Sequence, residues 1–161
     1  MKGAKESMDE YGDFCKFYEE EDGVFSFLCE DDCRKLSKFF EQKTFAAGEK
    51  LWTENDSSNS SAIIVSGRVE VKKNTGFKGN RIAVGTYTRG AIVGELCILD
   101  NSPRAVTAEA SEDVSILQIS KTSFDKLIEE YPEQGAQLLK GMLYSVSKRL
   151  KGCYNRLVAV F

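Results

Sequence analysis

Between residues 43 and 120, the chain runs in short hydrophobic segments rich in Val, Ile, Thr and aromatics, separated by polar positions and by Gly, Asn, Asp and Ser. Such segments read as strands, and six are predicted, over 50–53, 61–66, 68–73, 81–88, 105–110 and 114–120. Ser66-Gly67 falls between two of these runs, where a tight turn would close a hairpin over 62–72. A polar loop over 74–80, with Gly76 and Gly79, joins the next two. So many short strands predict a mainly β fold, an antiparallel barrel or roll.

On either side the period lengthens to that of helices. Tyr11, Phe14, Cys15 and Tyr18 share one helix face, in a stretch (1–22) carrying eight acids against three lysines; a short amphipathic helix or a solvated acidic arm is expected there. A helix is predicted over 31–42, with Asp31 and Asp32 at its positive end and Leu36, Phe39 and Phe40 facing inward. After the strands, Ser120 or Thr122 can cap a helix that buries Phe124, Leu127 and Ile128, and Pro132 ends it or starts the next. Leu139, Leu143, Val146, Leu150, Cys153, Leu157 and Val160 are then spaced 4, 3, 4, 3, 4, 3, a seam that wants a partner: the chain's own roll or a second copy. The expected division is an acidic arm or helix over 1–24, a roll with flanking helices over 25–131, and a C-terminal helix over 132–161 acting as lid, dimerisation element or both.

Composition narrows the chemistry. At 161 residues and 18.0 kDa the chain has room for one domain that buries about 68–70% of its unfolded surface without metal or disulfide support. It contains no histidine, which removes the commonest general base, the Ser-His and Cys-His pairs and every His-ligated metal. A net charge of −3 argues against a surface that grips nucleic acid. The longest apolar run, 157–161, is five residues, far short of the roughly 20 that a membrane span requires. No secretory h-region is visible, so a cytoplasmic, reducing setting with five free thiols is expected; Cys29 and Cys33 alone are closely spaced, and nothing completes a metal set. The five Lys or Arg after Gln134, unopposed by acids, suit the negative end of a helix.

Residues 93–108 depart from plain strand composition. Gly94 lets backbone approach a ligand, and the following turn, Glu95 to Leu99, can aim N–H groups outward as at a phosphate-binding helix end. Arg104 follows Pro103, so its guanidinium fork can hold two phosphate oxygens. Glu95 and Arg104 either form a structural ion pair or, with a phosphate on the arginine, leave the carboxylate free to accept a sugar hydroxyl.

The stretch resembles the phosphate-binding cassette of cyclic nucleotide-binding domains, F-G-E-(L/I)-A-L-(L/I/M)-x-x-x-P-R-(A/T)-A-(T/S)-V, in Gly94, Glu95, Leu96, Leu99, Pro103, Arg104, Ala105 and Thr107. Its surroundings resemble that family too: Gly48-Glu49-Lys50-Leu51-Trp52 opening the roll, Ser66-Gly67-x-Val-Glu-Val, and a helix over 121–131, with the likeness covering 25–150. The resemblance implies an antiparallel β-roll (double-stranded β-helix, a cupin-like jelly roll) between N-terminal and C-terminal helices. It implies a regulatory module, not an enzyme, that binds cAMP, with cGMP the second choice because Ala105 stands where cGMP-handling members often carry threonine. Glu95 would bond the ribose 2′-hydroxyl and Arg104 the cyclic phosphate, with Gly94, Leu96, Cys97 and Ala105 close by, Thr107 near phosphate or base, and no further cofactor. A base cap would come from the last helix, with Leu150, Tyr154, Leu157 and Phe161 as candidates. Val93, Cys97, Val106 and Asn55 depart from the usual aromatic, alanine, alanine and glycine, and Asn tolerates φ > 0 best among the side chains available. Output would pass to a protein effector or a homodimer through the C-terminal helix. The alternatives are a degenerate roll that only dimerises or docks, and a cupin-like enzyme, whose metal-binding histidines the chain lacks.

Overall fold

The computed structural model describes residues 23–77 and 79–160; the helix expected around Tyr11 to Tyr18, and Phe161, lie outside them. Helix α1 (Glu30–Leu36) opens with three acids and closes with Arg34 and Lys35, the charge order its dipole favours. It is shorter than the expected 31–42. A tight 3₁₀ turn, Ser37–Phe39, follows, and Phe40 is already extended. The stripe Leu36, Phe39, Phe40 therefore buries two residues from helical backbone, while Phe40 packs edge-on against Phe25 at 5.9 Å from extended chain.

Among the described residues eight strands follow: β1 (Glu41–Phe45), β2 (Lys50–Trp52), β3 (Ser60–Ser66), β4 (Val69–Asn74), β5 (Arg81–Tyr87), β6 (Ile92–Val93), β7 (Thr107–Ala110) and β8 (Val114–Ser120). They form two antiparallel sheets, ordered β1-β8-β3-β6 and β2-β7-β4-β5, closed into the expected roll. β1 and β6 were not legible as strands. β1 has a single apolar side chain and exists because its backbone pairs with β8 from Glu41↔Gln118 to Phe45↔Val114; β6 is two residues long.

The hairpin expected over 62–72 does not form. β3 and β4 lie in different sheets, and Ser66-Gly67 carries the chain across the corner between them. The reason is burial: Ser60 to Val65 are all buried. Ala62 and Ile64 point into the roll beside Val69, Val71 and Ile116, while Ile63 and Val65 point outward under Leu36, Phe124, Leu127, Leu138 and Met142. A strand covered on both faces cannot be an outer hairpin arm. β4 and β5 do pair, from Val69↔Tyr87 to Asn74↔Arg81, across the predicted loop.

Helix α3 (Lys121–Glu130) is capped by Ser120, whose hydroxyl accepts the Ser123 N–H at 3.0 Å. Pro132 opens α4 (Pro132–Val158), its missing N–H costing nothing at the first turn. α4 buries Leu138, Gly141 and Met142, and of the heptad seam Val146 packs beside them, so the chain's own core takes mainly the stripe next to the seam. Leu139, Leu143, Leu150 and Leu157 on the seam itself are exposed. No helix among the described residues is long and apolar enough to cross a membrane.

Candidate functional site

The segment singled out in the sequence runs from β6 to β7, wrapped around one arginine. Gly94 has φ 75°, and a Cβ there would strike the Nη1 of Arg104. Only glycine lets the guanidinium lie across this backbone. Glu95 precedes the short helix α2 (Leu96–Asp100), which buries Cys97 and Ile98 and ends at Asn101 in the left-handed region, φ 57°. The chain returns through Pro103 to Arg104, whose carbonyl accepts the Asn55 N–H at 2.8 Å and whose N–H donates to the Asp56 carbonyl at 2.9 Å. Asn55 reaches this bond at φ 70°, the conformation for which asparagine substitutes for glycine.

The Arg104 side chain is 5% exposed. Nη1 donates to the Ser60 carbonyl at 2.8 Å and to Cys97 Sγ at 3.4 Å, Nη2 to Ser60 Oγ at 3.2 Å, and the Trp52 ring lies 3.7 Å from the guanidinium carbon. Nε is buried with no partner among the described residues. Burial holds the guanidinium below its ordinary pKa range, with Cys97 and Asp56 opposing the shift, yet arginine remains a cation. No carboxylate among the described residues lies within ion-pair distance of it. A buried cation partnered only by neutral groups is expensive unless an anion arrives from outside, and this one lies in a cavity wall.

Glu95 faces a different partner. Its carboxylate accepts Arg149 Nη2 at 2.8 Å, while Arg149 Nη1 donates to the Ile92 carbonyl at 3.2 Å and the guanidinium lies 5.0 Å from the Tyr87 ring centre. The structural ion pair left open for Glu95 and Arg104 is therefore absent; the two charges stand separately around a cavity of about 240 Å³. Gly94, Glu95, Leu96, Cys97, Arg104 and Ala105 all line it, together with Trp52, Val71, Val84, Tyr87 and Arg149. Thr107 does not: it is fully buried behind the wall, and its hydroxyl accepts the Glu54 N–H at 3.0 Å. Leu150, Tyr154 and Leu157, the cap candidates, are 49%, 57% and 60% exposed and lie outside the lining.

Sequence reasoning missed Trp52, Ser60, Val84, Tyr87 and Arg149. Two signals were present. Val84 and Tyr87 sit on a predicted strand opposite the cassette, and Arg149 continues the stripe Leu138, Met142, Val146 by three residues, which puts a cation where the helix turns toward the roll. Trp52 and Ser60 carry no local signal, since they meet Arg104 only through sheet closure.

The family model for the cyclic nucleotide-binding domain matches residues 42–131. The chain belongs to the cyclic nucleotide-binding domain family. It is 28% identical over 123 residues to a cAMP-dependent protein kinase regulatory subunit of Yarrowia lipolytica, a match covering 76% of this chain and 31% of that protein. It is also 26% identical over 134 residues to patatin-like phospholipase domain-containing protein 6 of Mus musculus, covering 79% of this chain and 10% of that protein. The chain thus spans under a third of either relative. In fold it is similar to a cyclic nucleotide-binding domain of Methylobacillus flagellatus, with TM-score 0.82 at 20% identity, covering 94% of this chain and 84% of that one.

Proposed function

We propose that this domain is a regulatory sensor of cAMP. The cyclic phosphate sits on Arg104 and the neighbouring backbone of Ala105, the ribose 2′-hydroxyl donates to Glu95, and Gly94, Leu96 and Cys97 form the floor. Thr107 acts from behind the wall, and the base lies toward Val84 and Tyr87 under a cap from α4, for which Leu150, Tyr154 and Leu157 are the candidates. The observation that carries the reading is the buried Arg104, stacked on Trp52, with neither a partner for Nε nor a paired carboxylate among the described residues, in the wall of a cavity. The regulatory subunit relative supports cAMP over other cyclic nucleotides. No cofactor enters this reading, and the role is binding, not catalysis.

Arg149 is the relay in this proposal. It joins Glu95 to α4 directly, so a ligand that changes the position of the carboxylate changes the register of the helix; the shift is limited to the ligand's differential affinity for the two positions. The exposed seam of α4 supports pairing with a second copy or a protein effector, and a cytoplasmic setting goes with this reading. The test uses the chain's single tryptophan, which stacks on Arg104. Titration with cAMP is expected to give a saturable change in Trp52 emission at lower concentration than cGMP. An emission unmoved by either nucleotide, with no binding by dialysis, rejects the reading.

A further inference from the structure

The carbonyl groups on the far side of the cassette are held by a device that the phosphate contacts do not require. Glu54, just after β2, has a side chain only 6% exposed, and both its oxygens are engaged: one by Lys73 Nζ at 2.5 Å, the other by the Asn74 N–H at 2.8 Å. Lys73, on β4, spends a second donor on the Ala105 carbonyl at 2.8 Å. Its strand neighbour Lys72 points the other way, to Glu70 and Glu109. The Arg104 carbonyl is fixed in parallel by the Asn55 N–H. No peptide among the described residues is cis, so a carbonyl drawn outward turns the N–H of the same plane the opposite way. The Arg104–Ala105 and Ala105–Val106 planes are thereby aimed by groups behind the wall, and both Ala105 and Val106 line the cavity.

We propose that Lys73, anchored by Glu54, is a positioning residue for the anion-binding backbone: its ammonium sets and polarises the Ala105–Val106 peptide so that the Val106 N–H serves as a donor to the bound phosphate. This rests on the cyclic nucleotide reading above and extends it to a residue outside the cassette. A cation on a peptide oxygen strengthens donation by the N–H of the same plane. Because Glu54 neutralises the ammonium, the lysine acts through the peptide and adds little net attraction of its own. The pair also ties ligand affinity to the β4–β5 hairpin, because Asn74, the last residue of β4, shares the same carboxylate.

The experiment compares the full chain with Lys73→Met, Lys73→Arg and the double variant Glu54→Gln/Lys73→Met, the last removing the uncompensated carboxylate that the first leaves. In nucleotide-free protein, the Val106 amide proton resonance is expected to move upfield in both methionine variants and return in Lys73→Arg. In cAMP titrations at a temperature where every variant is folded, both methionine variants are expected to bind about tenfold more weakly, the scale on which loss of an outer partner weakens a metal ligand set, and Lys73→Arg to bind within threefold of the parent; the thermal midpoint falls most in Lys73→Met, which leaves the Glu54 carboxylate unpaired. A Val106 resonance indifferent to Lys73, parental affinity in the methionine variants, a loss that arginine does not restore, or a loss confined to Lys73→Met and absent from the double variant overturns the proposal. A parent that binds neither cAMP nor cGMP rejects the functional reading instead, and the amide measurement then decides the positioning role by itself.

Discussion

Replacing Gly94 by alanine separates two costs that the structure predicts at this position. The backbone is left-handed, φ 75°, which costs a side chain about 1–2 kcal/mol. The new Cβ also meets Arg104 Nη1, so the guanidinium must leave the Ser60 carbonyl, a charged hydrogen bond worth about 1.5–3 kcal/mol. Together they make Gly94→Ala destabilising by about 2.5–5 kcal/mol. Gly48 is the internal control: its φ is 86° but nothing lies within 4 Å of its added Cβ, so Gly48→Ala should lose only the conformational part. Urea unfolding followed by Trp52 emission measures both, and the ring's contact with Arg104 reports displacement of the guanidinium in the folded baseline. Equal losses in the two variants, with an unaltered baseline for Gly94→Ala, would refute the close approach of Arg104 to this backbone.

Three further outcomes are expected. Arg149→Met should weaken cAMP binding about fivefold, the equivalent of about 1 kcal/mol for a half-buried ion pair, with a stability change no larger; unchanged affinity by calorimetry counts against the relay. Lys73 and the Asn74 N–H hold the Glu54 carboxyl below its ordinary pKa near 4.3, so its contribution to stability is complete above that value and disappears as pH falls through the lowered one; thermal midpoints between pH 6 and 3 should fall less steeply in Glu54→Gln, and identical slopes contradict this. Leu143→Glu with Leu150→Glu should convert a dimer to a monomer in sedimentation velocity while nucleotide binding persists, and a monomeric parent at the concentrations used removes helix pairing from the account.

The roll and the cassette were legible because their signals are local. The β-branched runs of 61–66 and 114–120, the polar loop before Arg81, Ser120 as a cap and Pro132 at a helix start each depend on neighbours in the chain. The cassette was legible through Gly94, Glu95, Pro103 and Arg104 and their resemblance to a family's phosphate-binding stretch; that the Arg104 guanidinium lies across Gly94 was not. What stayed hidden depends on distant partners. β1 is a strand only because β8 pairs with it, and Phe40 leaves the helix because the sheet begins one residue later. Ser66-Gly67 has the composition of a hairpin turn, yet burial of β3 on both faces sends the chain to the other sheet. The partner of Glu95 was hidden for the same reason: Arg149 lies 54 residues away, on a helix whose seam pattern drew attention to the neighbouring face.

The most direct trial of the account is calorimetric titration of the parent and of Arg104→Ala with cAMP. Loss of a charged partner of the phosphate predicts about 10- to 150-fold weaker binding, from about 1.5–3 kcal/mol, with the parent saturating at one nucleotide per chain. A folded Arg104→Ala protein that binds cAMP as tightly as the parent would place the phosphate elsewhere and contradict the assignment of this cavity.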